Sequence, residues 1–176
     1  MVGTLVASGP YPSQPHSVPT ATDTLGVAGL VAVEEDLART VSRRPVSATA
    51  RTWDLLRATE GSEAWRIAWP PRGATDFHDY GDTLGVVLVV AGAWRETVVE
   101  DGEDGGVDVR DTALCPRTPI AFPGRRVHDV VNAGAELAIS VHVYAPRLTA
   151  MTFYEIGATG LERSHTVRYD LGRVVA

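Results

Sequence analysis

Phe77-His78-Asp79-Tyr80-Gly81-Asp82 and Gly124-Arg125-Arg126-Val127-His128-Asp129-Val130-Val131-Asn132 each set one histidine into a run that otherwise reads as strand and turn. The two histidines stand 50 positions apart. That is the layout of a mononuclear metal site whose ligands come from separate strands of a β-barrel. A third stretch, Ala138-Ile139-Ser140-Val141-His142-Val143-Tyr144, belongs with them. Alternate residues of a strand share a face, so Ser140, His142 and Tyr144 point one way and Ile139, Val141 and Val143 the other. A polar stripe on an otherwise apolar strand needs hydrogen-bond partners if it faces a barrel interior. By the same parity His78 and Tyr80 project together.

Outward from these stretches the chain reads as short strands. Candidates are Thr52–Ala58, Ala64–Trp69, Thr75–His78, Thr83–Val90, Trp94–Glu100, Val107–Arg110, Ile120–Phe122, Val127–Asn132, Ala138–Tyr144 and Met151–Ile156. Gly, Pro or Asp separates most of them, and residues 101–106 are a strong turn signal. Many short strands with regular turns predict an all-β jelly-roll barrel. Before it, Val27, Leu30, Val31, Leu37 and Val41 recur at helical spacing opposite Glu34, Glu35 and Asp36. Pro45 stops that pattern. Pro10, Pro12, Pro15 and Pro19 mark an irregular N-terminal segment. The expected organisation is a flexible arm over 1–24 and one domain over 25–176, with a helix at about 25–44 and the barrel at about 50–157.

The 176 residues carry a net charge of −6, and all 16 basic residues are arginine. An acidic chain without a basic patch argues against nucleic acid or anionic membrane as partner. The longest apolar run, residues 84–92, is too short to span a bilayer, and no secretory leader is visible. Cys115 is the single cysteine, so no disulfide forms within the chain, and a cytoplasmic location is the expectation. Its Leu-Cys-Pro context reads as a half-buried strand or turn position. Trp53, Trp65, Trp69 and Trp94 read as core or barrel-wall residues. A monomer or small homo-oligomer is expected.

From Trp65 to Glu155 the chain resembles the cysteine dioxygenase type of cupin in its bacterial form. The resemblance rests on Ala64-Trp65-Arg66-Ile67-Ala68-Trp69-Pro70-Pro71, His78-Asp79-Tyr80-Gly81, Gly92, His128-Asp129-Val130-Val131-Asn132 and Ser140-Val141-His142-Val143-Tyr144-Ala145-Pro146. It implies a small cupin barrel that binds Fe(II) through three histidines and inserts both atoms of O2 into a thiol, giving a sulfinate. His78 and His128 match two of the ligands. Ser140, His142 and Tyr144 match the hydrogen-bonded series whose tyrosine hydroxyl reaches oxygen or substrate.

The chain departs from that pattern in three places. Tyr80 stands where the third histidine ligand belongs. Either it supplies a phenolate, or it stays protonated and leaves an open position, or Asp82 brings a carboxylate; Tyr80 is favoured, because a turn begins at Gly81. The arginine that pairs with a substrate carboxylate falls, without gaps, on Leu55; Arg57 and Arg66 are the candidate substitutes and Arg51 lies further back. Without such an anchor, free cysteine is a doubtful substrate. The cysteine that cross-links the tyrosine in animal enzymes falls near Gly85, so Tyr144 is expected to be unmodified.

The expected function is therefore a non-haem iron thiol dioxygenase acting on a small thiol or thione other than free cysteine. The alternatives are a cupin metalloenzyme with other oxygenase or isomerase chemistry, and a non-catalytic cupin that binds a small molecule.

Overall fold

The computed structural model describes residues 31–32, 37–39, 41, 50–102, 106–158 and 160–175. The expected arm over 1–24 lies outside them. Of the expected helix, the described positions 31–32, 37–39 and 41 are helical.

Among the described residues twelve strands form two antiparallel sheets. The strands are β1 Thr52–Ala58, β2 Glu63–Trp69, β3 His78–Asp79, β4 Leu84–Ala91, β5 Trp94–Asp101, β6 Val107–Leu114, β7 Ile120–Phe122, β8 His128–Asn132, β9 Ala138–Ala145, β10 Ala150–Gly157, β11 Gly160–Asp170 and β12 Arg173–Val175. One sheet has the order β1-β2-β9-β4-β7, the other β12-β11-β10-β3-β8-β5-β6. This is the all-β jelly-roll of a cupin. The sheet continues past the expected end near residue 157, because β11 pairs with β10 along its length and β12 pairs with β11.

β9 is the middle strand of the five-stranded sheet, and its alternation separates two apolar clusters. Tyr144 packs inward with Trp65, Trp69, Tyr80, Val87, Val89, Trp94 and Phe122. Val141 and Val143 pack outward with Val86, Leu88 and Ala64, and Ala38 and Val41 of the helical segment join them. The middle strands are thus buried on both faces, which is why β4 reads Leu-Gly-Val-Val-Leu-Val-Val-Ala without alternation. Val86, Val87, Val89, Val141 and Val143 are essentially inaccessible, and each contributes roughly 1.5–3 kcal/mol of hydrophobic burial.

β3 is only two residues long, shorter than the expected Thr75–His78. Gly81 ends it in the left-handed region at φ 61°. Its N–H donates to Asp79 Oδ1 at 2.9 Å, and Tyr154 donates its hydroxyl to Asp79 Oδ2 at 2.6 Å. Asp79 therefore fastens the turn, while its neighbours His78 and Tyr80 face the interior.

Candidate metal centre

His78 and His128 are directly opposed Cα partners on β3 and β8, and their rings lie 4.8 Å apart between centroids. Each is 1% exposed. His78 Nδ1 lies 2.8 Å from the Asp76 carbonyl, and His128 Nδ1 lies 3.1 Å from Glu96 Oε1. Both contacts fix Nδ1 as the protonated nitrogen and leave Nε2 with its lone pair. Both Nε2 atoms are buried without a hydrogen-bond partner among the described residues. Orphaned lone pairs of this kind are costly unless something electrophilic binds them. A carbonyl and a carboxylate behind two imidazoles are the usual support for metal-binding histidines. Burial, with His128 close by, lowers the His78 pKa to about 3, so His78 is a neutral donor at physiological pH. The donor set therefore fits a metal ion.

Tyr80 closes the group, with its ring 5.0 Å from His78 and 5.4 Å from His128. It is 4% exposed, and burial raises its pKa, so the free phenol is protonated. No cluster of three His, Cys, Asp or Glu residues able to hold a metal occurs among the described residues. Asp82 is not near the histidines: it is exposed and pairs with Arg125 at 2.7 Å, because the Gly81 turn carries it outward.

The β9 stripe forms a chain of hydrogen bonds. The Trp69 indole donates to Ser140 Oγ at 2.9 Å, Ser140 Oγ lies 2.9 Å from His142 Nε2, and His142 Nδ1 lies 3.2 Å from the Tyr144 hydroxyl. The Tyr144 and Tyr80 rings meet edge to face, 5.2 Å apart between centroids. Indole N–H only donates, so Ser140 accepts there and passes its own hydrogen to His142 Nε2. Burial, with His128 close by, lowers the His142 pKa to about 3. Neutral His142 then donates through Nδ1 to the Tyr144 oxygen, which leaves the phenol's own hydrogen for the cavity. Burial raises the Tyr144 pKa, followed by the neighbouring Tyr80. The series runs from the indole at the core to the Tyr144 phenol at the cavity wall.

These groups open on a cavity of about 130 Å³, room for a small molecule. His78, Tyr80, His142 and Tyr144 line it, together with Trp65, Trp69 and Met151. β11 and the following turn close it with Tyr169 and Gly172.

The two expected anchor arginines are not in this cavity. Arg66 lies on the outward face of β2 with Ala64 and Ala68, opposite the face that carries Trp65, Ile67 and Trp69, and it pairs with Asp54 across β1. Arg57 follows a register shift in β1 and is exposed. Arg51 lines the cavity instead, with its guanidinium 5.2 Å from the Trp69 ring and 5.7 Å from the Trp53 ring. Its Nη1 donates to the Ala74 carbonyl at 3.0 Å. Trp53 is 50% exposed beside it at the mouth rather than core, and Cys115 is exposed rather than half-buried. Sequence reasoning also passed over Glu96, whose signal was available: in Trp94-Arg95-Glu96-Thr97-Val98 the carboxylate shares the buried face with Trp94 and Val98.

Among known proteins, the sequence model of the family described as cysteine dioxygenase type I matches residues 44–156. Solved structures are similar at lower identity. An oxalate oxidase in complex with glycolate is 15% identical at a TM-score of 0.52, covering 62% of this chain and 59% of its own. TT1209 from Thermus thermophilus is 23% identical at a TM-score of 0.46, covering 59% of this chain and 90% of its own. The cupin domain of Cnp3 from Schizosaccharomyces pombe is 13% identical at a TM-score of 0.48, over 57% of this chain and 64% of its own. The likeness to these structures is one of fold.

Proposed function

Because this chain belongs to the cysteine dioxygenase type I family, we propose that it is an iron-dependent dioxygenase of small thiols whose metal is held by His78, His128 and Tyr80. The observation that supports this most is the pair of buried Nε2 atoms without partners. Ferrous iron bound there would bring thiol sulfur and dioxygen together and carry electrons between them. The balanced reaction is RSH + O2 → RSO2H, with both oxygen atoms ending on sulfur.

The chain's own residues contribute binding and orientation. Imidazole ligands bring no negative charge, and Tyr80 brings none as long as its phenol keeps the proton, so a substrate thiolate would then be the first anion to enter the centre. Tyr144 faces the cavity with its hydroxyl oriented by His142 and Ser140, positioned to donate a hydrogen bond to reacting oxygen. Trp65, Trp69 and Met151 exclude water around it. Arg51 offers a cation to a substrate carboxylate. That removes the reason for setting amino-acid thiols aside, which was the supposed lack of an arginine in the pocket.

A second reading, another oxygenase or an isomerase on the same scaffold, is favoured by one feature: a phenol occupies the place of an imidazole. Metal content and the visible spectrum of anaerobically purified protein, before and after air, separate the two. Near-stoichiometric iron without a strong visible band, and oxygen uptake only with a thiol present, is the expected result. A strong phenolate-to-iron charge-transfer band would place an anionic Tyr80 on the metal and overturn the thiol reading. A non-catalytic binder would take up neither iron nor oxygen; the fully bonded Ser140-His142-Tyr144 series speaks against decay of the site.

A further inference from the structure

Glu63 is the buried carboxylate that the proposed chemistry leaves idle. It opens β2, is 2% exposed, and lies directly across from Tyr144 on β9. It shares the inward face with Trp65, Ile67 and Trp69, and it lines the same cavity. Its Oε1 accepts the Leu148 N–H at 3.3 Å, and the Trp65 side chain lies beside the carboxyl group on the same face of β2. Its Oε2 is buried with no hydrogen-bond partner among the described residues, and the group forms no ion pair among them. Arg147 acts on it only from beyond ion-pair distance. Burial raises its pKa, while the neighbouring Trp65 side chain, the Leu148 N–H and Arg147 pull it back.

An N–H donor on one oxygen marks the group as an acceptor, and its other oxygen lacks a donor. An uncompensated carboxylate in an aromatic cavity is costly, and a cation with N–H groups offsets both the charge and the open lone pair. A hydroxyl would satisfy only the second. Arg51, the other charge lining the cavity, lies over Trp69 at the far end of the β2 face, with Trp65 and Ile67 between. By strand rise, the Cα atoms of Glu63 and Trp69 are roughly 20 Å apart. The two charges therefore form separate subsites.

We propose that Glu63 Oε2 is the recognition point for the ammonium group of an aminothiol substrate. This rests on the thiol dioxygenase reading only for the sulfur end; the amine subsite stands on Glu63 and its surroundings.

The test is anaerobic calorimetric titration of the purified protein with cysteamine, ethanethiol and 3-mercaptopropionate, which carry an amine, neither charge, and a carboxylate. The wild type is expected to bind cysteamine about tenfold more tightly than ethanethiol, in line with a buried charge-assisted hydrogen bond. In Glu63→Gln that advantage disappears, while 3-mercaptopropionate keeps its affinity. Equal affinity of the wild type for cysteamine and ethanethiol overturns the proposal, and that measurement needs no variant to fold. Equal weakening of all three thiols by Glu63→Gln, or no thiol binding at all, overturns it too. Oxygen uptake is followed in parallel. Cysteamine preference without uptake removes the dioxygenase reading and leaves the subsite; uptake without preference does the reverse.

Discussion

At the scale of single residues, the centre depends on what stands behind its donors. Glu96 is 2% exposed and fixes His128 through Nδ1. Glu96→Gln keeps an acceptor but loses the charge, and metal affinity should fall by about 10- to 100-fold, measured by competition with a chelator. Ser140 joins a donor to an acceptor inside the core. Ser140→Ala leaves the Trp69 indole N–H and His142 Nε2 buried and unpaired, at a cost of about 1–3 kcal/mol in urea denaturation. His142 also sets a pH dependence. Its folded-state pKa of about 3 lies below the ordinary 6.5, so the unfolded chain takes up the proton first. Its contribution is complete above pH 6.5 and is lost as pH falls toward 3. His78 adds a limb of the same sign in metal-free protein. The urea midpoint of that protein should drop between pH 7 and pH 4, and His142→Gln should flatten the drop. The histidines themselves were legible in the sequence because a basic or polar side chain interrupts an apolar strand. Arg51 was not, because it precedes β1 and reaches the cavity only through the way β1 lies across β2.

Elements explain which errors the sequence invites. β2 is buried on both faces, so Glu63-Trp65-Ile67-Trp69 and Ala64-Arg66-Ala68 look equally inward by pattern alone. The choice of face comes from pairing with β9, where Trp65 meets His142 and Ile67 meets Ser140. β11 has the opposite fault. Residues 162–166 are all exposed, so Gly-Leu-Glu-Arg-Ser-His-Thr-Val-Arg-Tyr-Asp offers no apolar alternation to read. Yet the β11–β12 turn helps to roof the cavity. Gly172 has φ 72°, and a Cβ there would lie 2.4 Å from the Trp65 ring. Gly172→Ala should therefore cost on the order of 1–3 kcal/mol through backbone strain, with a further penalty from displacing Trp65. Thermal unfolding reads the stability, and anaerobic thiol titration should show weaker binding as the roof shifts.

On the scale of the whole molecule, a ligand that binds only the folded state raises the unfolding temperature by mass action. Removing iron from loaded protein should lower the midpoint of thermal unfolding, and His78→Ala should abolish that difference, as read by calorimetry with and without chelator. The seven-stranded sheet gives this linkage a location. Between β3 and β8 the single register pair is His78 with His128. On one side of that pair lie β12, β11, β10 and β3; on the other lie β8, β5 and β6. A bound ion would act as a rivet across the seam, where the two strands themselves meet at one pair and the backbone of residues 72–75 before β3 adds further hydrogen bonds to β8 at Val130 and Asn132. Amide hydrogen exchange should then be patterned rather than uniform: without metal, the amides of β3 and its β10 neighbour Thr152 open first, and loading slows them far more than the amides of the β4–β9 ladder.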